Sequence, residues 1–285
     1  MSKLDTVILD NGLKIYLYNE PKRHSTFFQF NTYCGGITKH FIYDNQEYHL
    51  NDGVAHILEH YIVECNERGN FLEELGNKQM STNASTSPDI TNYYFETVEN
   101  VCYGIQTILD GIYHVFFSED RLEKLKNPIC QEIRGKQDNK FYQANRRRMK
   151  NLFPQIDYFD VGGTLEEVES TTIHDLEALY HSFYHPKNQF IVIAGNFNKE
   201  EVLKTIKDFY QSVSFDSYST SIIPYPRVCD VNLEEDSFEF PSPMNFTEIS
   251  FKVDVSSLSN TQLLDLDFYL NAFYTSSFGV TSQLY

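Results

Sequence analysis

The chain has no tryptophan, and its longest apolar stretches, such as FIVIAG, fall far short of the ~20 residues a membrane helix needs. A membrane is therefore not an expected partner. Cysteine is scarce and unpatterned. Cys34, Cys65, Cys102, Cys130 and Cys229 are odd in number and show no CxxC spacing, which argues against a disulfide framework and for reduced thiols. Cys130 stands near Glu132 and could ligate a metal, but a small buried hydrophobe is the commoner role of such a residue. Positive charge is also short: 23 basic against 40 acidic residues gives a formal net charge of −17. Nucleic acid is thereby excluded as a main partner, because phosphate binding needs a basic surface. The single basic run, Arg146-Arg147-Arg148, falls in a helical pattern and reads as a solvated face. The opening segment MSKLDTVILDNGLKIYLYNE carries no apolar core of a signal peptide, so the expected location is cytoplasmic.

What is present is ample for a buried core. Of 285 residues 41% are hydrophobic, with 20 Tyr and 23 Phe, and the length predicts about two domains. TVILDNGLKIYLY reads as two strands about an Asp10-Asn11-Gly12 turn, and TFFQFNTY as a third. Helical periodicity runs from about Gly53 to Cys65, then from Asn70 to Leu75, Asn100 to Phe117 and Glu119 to about Asn151. QMSTNAS and TNYYFETV alternate like two strands. TTIHDLEALYHSFYH is a capped helix, NQFIVIAGNF a buried strand, and NKEEVLKTIKDFYQSV a helix capped by Asn198. This mixture, without a strict βαβ rhythm, predicts an α+β fold. We divide the chain into a first domain, residues 1–213, a Ser-, Pro- and Asp-rich linker, 214–243, and the start of a second unit, 244–285. In the last, FTEISFKVDV is expected as a strand with Ile249, Phe251, Val253 and Val255 on one face. An amphipathic helix bearing Leu263, Leu264, Leu266, Phe268, Leu270 and Phe273 follows.

Chemistry concentrates in DGVAHILEHYIVE, Asp52 to Glu64. On a helix, His60 lies about 40° to one side of His56 and Glu59 about 60° to the other, so all three can share one pocket. Imidazoles at i and i+4 can both reach one zinc ion, while a carboxylate at i+3 stands beside it, placed to take a proton from water. The order H-x-x-E-H is that of the inverzincins. Two histidines on a helix can also be ordinary polar residues satisfied within a core.

The context of the motif, NDGVAHILEHYIVECNERGNFLEELGNKQMSTNASTSPDITNYYFET, resembles the pitrilysin/insulinase family of metallopeptidases, and within it the processing-peptidase-like bacterial branch. The likeness begins at LDNGLKIYLY and continues through NPICQEIRGKQDN and VGGTLEEVESTTIHDLEALYHSFYHPKNQFIVIAGNF. Resemblance implies a mainly antiparallel sheet backed by helices, a bound zinc ion and hydrolysis of peptides or oligopeptides. By position it implies His56 and His60 as zinc ligands, Glu132 as the third, and Glu59 as the general base that passes a proton to the leaving amine. It also makes MSTNASTS an edge strand on which an extended peptide pairs, with Asn83 and Ala84 as substrate-binding positions.

Two departures accompany the likeness. Leu125 stands where members carry an accessory glutamate, and Glu123, about 200° away around the helix, cannot replace it. Members also pair two such domains, in one chain or in a dimer with a homologous subunit. Here the second unit is expected to supply one strand and one helix, so that the second domain looks truncated. An alternative is therefore a non-catalytic member acting as binding partner or scaffold of an active paralogue. A purely structural zinc site leaves Glu59 without a purpose.

Overall fold

Gly12 takes a left-handed φ of +92°, and the Leu13 N–H donates to Asn11 Oδ1 at 3.1 Å. This turn folds β1 (Leu4–Ile8) antiparallel onto β2 (Lys14–Asn19). Next comes β3 (Thr26–Thr32), then a hairpin of β4 (His40–Tyr43) and β5 (Gln46–His49) that the sequence reading did not anticipate. Helix α1 (Val54–Glu64), helix α2 (Phe71–Gly76) and strands β6 (Ser81–Thr86) and β7 (Thr91–Thr97) follow in the expected places. Then come α3 (Val101–Tyr113), α4 (Glu119–Gln137), α5 (Lys140–Leu152), α6 (Leu165–Ser170), α7 (Ile173–Phe183), β8 (Gln189–Gly195) and α8 (Lys199–Ser212). The computed structural model describes residues 4–153, 160–224, 235–241, 247–250 and 252–275.

Six strands form one sheet in the order β1-β2-β8-β3-β7-β6, in which only the β2–β8 pair is parallel. Register aligns one apolar face across it. Ile15 and Leu17 lie opposite Ile191 and Ile193, these oppose Phe30 and Phe28, and the phenylalanines in turn oppose Tyr93 and Phe95. All eight are buried, and Phe28 stacks on Phe95 at 5.1 Å. Helices α1 and α3 pack against this sheet, and α8 covers α3. The layering is thus α+β, a mainly antiparallel sheet backed by helices.

Caps explain where helices begin. Thr164 with Glu167 and Thr172 with Asp175 form reciprocal capping boxes for α6 and α7. Asn139 accepts from the N–H groups of Phe141 and Tyr142, and so splits into α4 and α5 what the periodicity read as one helix. Helix α1 has no side-chain cap; Gly53 occupies the cap position at φ +83°.

The chain divides into two compact units, Met1–Glu235 and Asp236–Tyr285. The stretch read as linker contributes a short strand, β9 (Ser221–Ile222), which pairs with β4. In the second unit α9 (Asn260–Thr275) begins at a reciprocal Ser259–Gln262 cap. Leu264, Phe268 and Leu270 are exposed. The strand expected over 246–255 is absent among its described residues, because alternation gives an apolar face but not the backbone partner a strand requires. Cys229, Phe251 and the Phe273 side chain lie outside the described residues, while Cys34, Cys65, Cys102 and Cys130 are free thiols. Among the described residues no helix is long and apolar enough to cross a membrane.

Candidate active site

Helix α1 lies between the sheet and α4, and its polar side opens into a cleft of about 830 Å³. Its entry is fixed by a close backbone approach. A Cβ on Gly53 would stand 2.7 Å from the Gly162 carbonyl, and one on Gly163 2.7 Å from the Asp52 carbonyl. Asp52 reinforces the contact by accepting from the Asp160 N–H (3.0 Å) and from Lys39 (2.5 Å). The far end of α1 is tied down by Tyr61, whose hydroxyl donates to the Phe116 carbonyl (3.0 Å) and accepts from the Ser118 N–H (2.7 Å) just ahead of α4.

Helices α1 and α4 bring His56, His60 and Glu132 together. Their Nε2 atoms are 3.2 Å apart. Glu132 Oε1 lies 3.6 Å from His56 Nε2, and Oε2 lies 3.4 Å from His60 Nε2. Donors at ~2.0–2.1 Å around one tetrahedral ion stand about 3.3 Å from each other, so two imidazoles and a carboxylate in this arrangement fit zinc. Burial, with His60 beside it, pushes His56 down to about 4, which keeps that ring neutral and free to ligate. Burial also lowers His60, but the contact with Glu132 and the Glu59 charge outweigh it and leave this ring above its ordinary value. Glu132 is held well below the usual carboxylate range, first by His60, against burial, and then by Lys136, whose ammonium lies 2.6 Å from Oε1.

Glu59 is buried on the same helix outside the donor triangle. Burial raises its pKa, and the Thr86 hydroxyl, donating to Oε2 at 2.6 Å, opposes that rise. Thr86 ends β6, the edge strand of the sheet, on which Asn83 and Ala84 line the cleft. The Ala84 N–H donates to the Asn83 side chain at 2.9 Å, which occupies that donor locally. Leu125 packs in the core, and Glu123 pairs with Lys126 at 2.6 Å. Cys130 is buried, with its thiol directed to Glu169 rather than to the triangle. Two groups escaped the sequence reading. Lys136 was signalled only by its i+4 spacing from Glu132, and Thr86 by its place two residues beyond Ala84.

The site lies in a chain with clear relatives. Residues 43–154 match the model of the insulinase family (peptidase family M16), and residues 170–274 that of the peptidase M16 inactive domain. An uncharacterised zinc protease of Bacillus subtilis, YmfH, is 30% identical over 203 residues, which cover 70% of this chain and 47% of the relative. The zinc protease PqqE of Helicobacter pylori is 23% identical over 79% of this chain and 50% of its own. An M16-like peptidase structure from Alicyclobacillus acidocaldarius superposes with a TM-score of 0.73 at 30% identity, covering 78% of this chain and 53% of that one. The chain spans about half the length of the curated relatives it matches. Two adjoining family models and relatives in both sequence and structure lead to one conclusion: the chain belongs to the insulinase/pitrilysin family of peptidases.

Proposed function

We propose that this chain carries the metal-binding and proton-handling site of a zinc-dependent peptidase acting on peptides or oligopeptides. The observation behind the reading is the donor triangle His56–His60–Glu132 with the buried Glu59 carboxylate beside it. His56, His60 and Glu132 would hold the metal. When bound, zinc supplies Lewis acidity, making water acidic near neutral pH and polarising a carbonyl.

The protein residues do the rest. Glu59 takes the proton of the attacking water and returns it to the leaving amine. Thr86 fixes one oxygen of that carboxylate, leaving the other to face the reaction. An extended substrate adds to the free edge of β6 at Asn83 and Ala84, gaining main-chain hydrogen bonds once Asn83 releases the Ala84 N–H. Lys136 keeps Glu132 ionised and oriented.

A second reading, a non-catalytic subunit, is favoured by Leu125 in place of the accessory glutamate and by the inactive-domain match. Substitution separates the two. Purified protein should hold zinc that is lost in His60→Ala and Glu132→Ala but kept in Glu59→Gln. Glu59→Gln should also abolish cleavage of a fluorogenic peptide, because an amide cannot accept the proton. A zinc content of Glu132→Ala equal to that of wild type would refute the ligand set. Equal cleavage by wild type and Glu59→Gln would refute the base.

A further inference from the structure

Away from the cleft, one more set of side chains converges on a point. Asp44 and Asn45 both adopt left-handed φ, 51° and 64°, giving a two-residue turn whose twist matches the strands of the β4–β5 hairpin. That turn sets His40 opposite His49, Phe41 opposite Tyr48 and Ile42 opposite Glu47. Alternation then sorts the two faces. Phe41 and Tyr48 stack at 5.1 Å, and Phe41 meets Phe183 at 5.0 Å, which anchors the inner face. His40, Glu47 and His49 share the outer face.

Both imidazoles aim at one atom. His40 Nε2 lies 2.7 Å and His49 Nε2 3.0 Å from Glu47 Oε1, with the ring centroids 3.8 Å apart. As hydrogen bonds, these crowd two donors from closely apposed, mutually tilted rings onto a single oxygen. As ligands, the three residues already hold their donor atoms within 4.8 Å of one another, near the spacing of about 3.3 Å that donors around one tetrahedral ion adopt. The backbone of His40 is fixed from the other side, where its carbonyl accepts from the Ile223 N–H at 3.1 Å.

We propose that His40, Glu47 and His49 form a second metal site, for a divalent cation of the zinc type, that pins β4 to β5. Two imidazole nitrogens and one carboxylate suit zinc and its first-row neighbours, whereas calcium and magnesium prefer oxygen alone. The hairpin consists of two four-residue strands, which gain little stability by themselves. A metal cross-link between them therefore adds a tie that this short ladder lacks. The Glu47 and His49 side chains are 55% and 67% exposed, so the ion exchanges with solvent more readily than one in the cleft.

The test is zinc bound per chain, by elemental analysis after dialysis of the full chain against zinc chloride at graded free concentrations. Wild type should bind a second, weaker equivalent beyond the cleft ion. His49→Ala and Glu47→Gln should lose that equivalent and keep the first, while His60→Ala should keep it and lose the other. Amides of β4 and β5 should exchange more slowly with zinc in wild type only. The inference fails if His49→Ala and Glu47→Gln match wild type at every concentration, or if wild type binds a single equivalent that is lost in His60→Ala. A single equivalent lost in His49→Ala but kept in His60→Ala would support the hairpin site and refute the cleft site.

Discussion

Substituting Gly163 by alanine should be among the most damaging small changes in the protein. Alanine in the left-handed region costs about 1 kcal/mol, and Gly163 sits at φ +72°. Its new Cβ would also stand 2.7 Å from the Asp52 carbonyl oxygen and 3.2 Å from Gly53 Cα, both backbone atoms without a rotamer to change. Opening that contact pulls the Asp160 N–H away from the Asp52 carboxylate, a charge-assisted bond of 3.0 Å that contributes about 1.5–3 kcal/mol. The total is roughly 2.5–4 kcal/mol, which lowers a urea midpoint by about 1–2 M for a fold of this size. Gly69 is the control: its φ is +79°, but a Cβ there meets nothing within 4 Å, so Gly69→Ala should cost only the conformational part. Because Gly53 begins the helix carrying both histidines, Gly163→Ala should also release zinc faster than Gly69→Ala. Equal midpoints for the two variants would refute the idea that the Asp160–Gly163 segment holds α1 in place.

Two further outcomes follow from particular contacts. Thr86→Val removes the donor to Glu59, so kcat/KM on a fluorogenic peptide should fall about tenfold at unchanged zinc content, with Thr86→Ser restoring it; a fall in zinc content would show a structural role instead. Phe28→Ala, at a fully buried ring stacked on Phe95, should cost about 3–5 kcal/mol in chemical denaturation, whereas Phe116→Ala, 59% exposed, should stay within about 0.5 kcal/mol.

How far the sequence could be read depended on the range of each interaction. The period of α1 sufficed to put His56, Glu59 and His60 on one side, since that is a property of eleven consecutive residues. Glu132 came from resemblance alone, because nothing local to α4 marks one carboxylate among several. The β4–β5 hairpin escaped because its turn is Asp44-Asn45, without the glycine that usually signals one, and its strands are too short to alternate convincingly. The α4–α5 break escaped for a different reason: helical periodicity holds on both sides of Asn139, and only the capping bonds show the stop. Thr86 could not be paired with Glu59 until the edge strand was laid beside α1.

The position of β8 bears on how the protein is made. This strand lies in the middle of the sheet, between β2 and β3, yet it begins at Gln189, far along the chain from the ends of β2 at Asn19 and β3 at Thr32. At translation speeds of ~5–20 residues per second, β2 and β3 emerge from the ribosome roughly eight to thirty-five seconds before the strand that joins them. Through that interval each presents an unpaired backbone edge flanked by Ile15, Leu17, Phe28 and Phe30, the combination most prone to mispairing between nascent chains. Yield on expression should therefore respond to chaperone supply and to synthesis rate more strongly than the equilibrium stability of the finished fold.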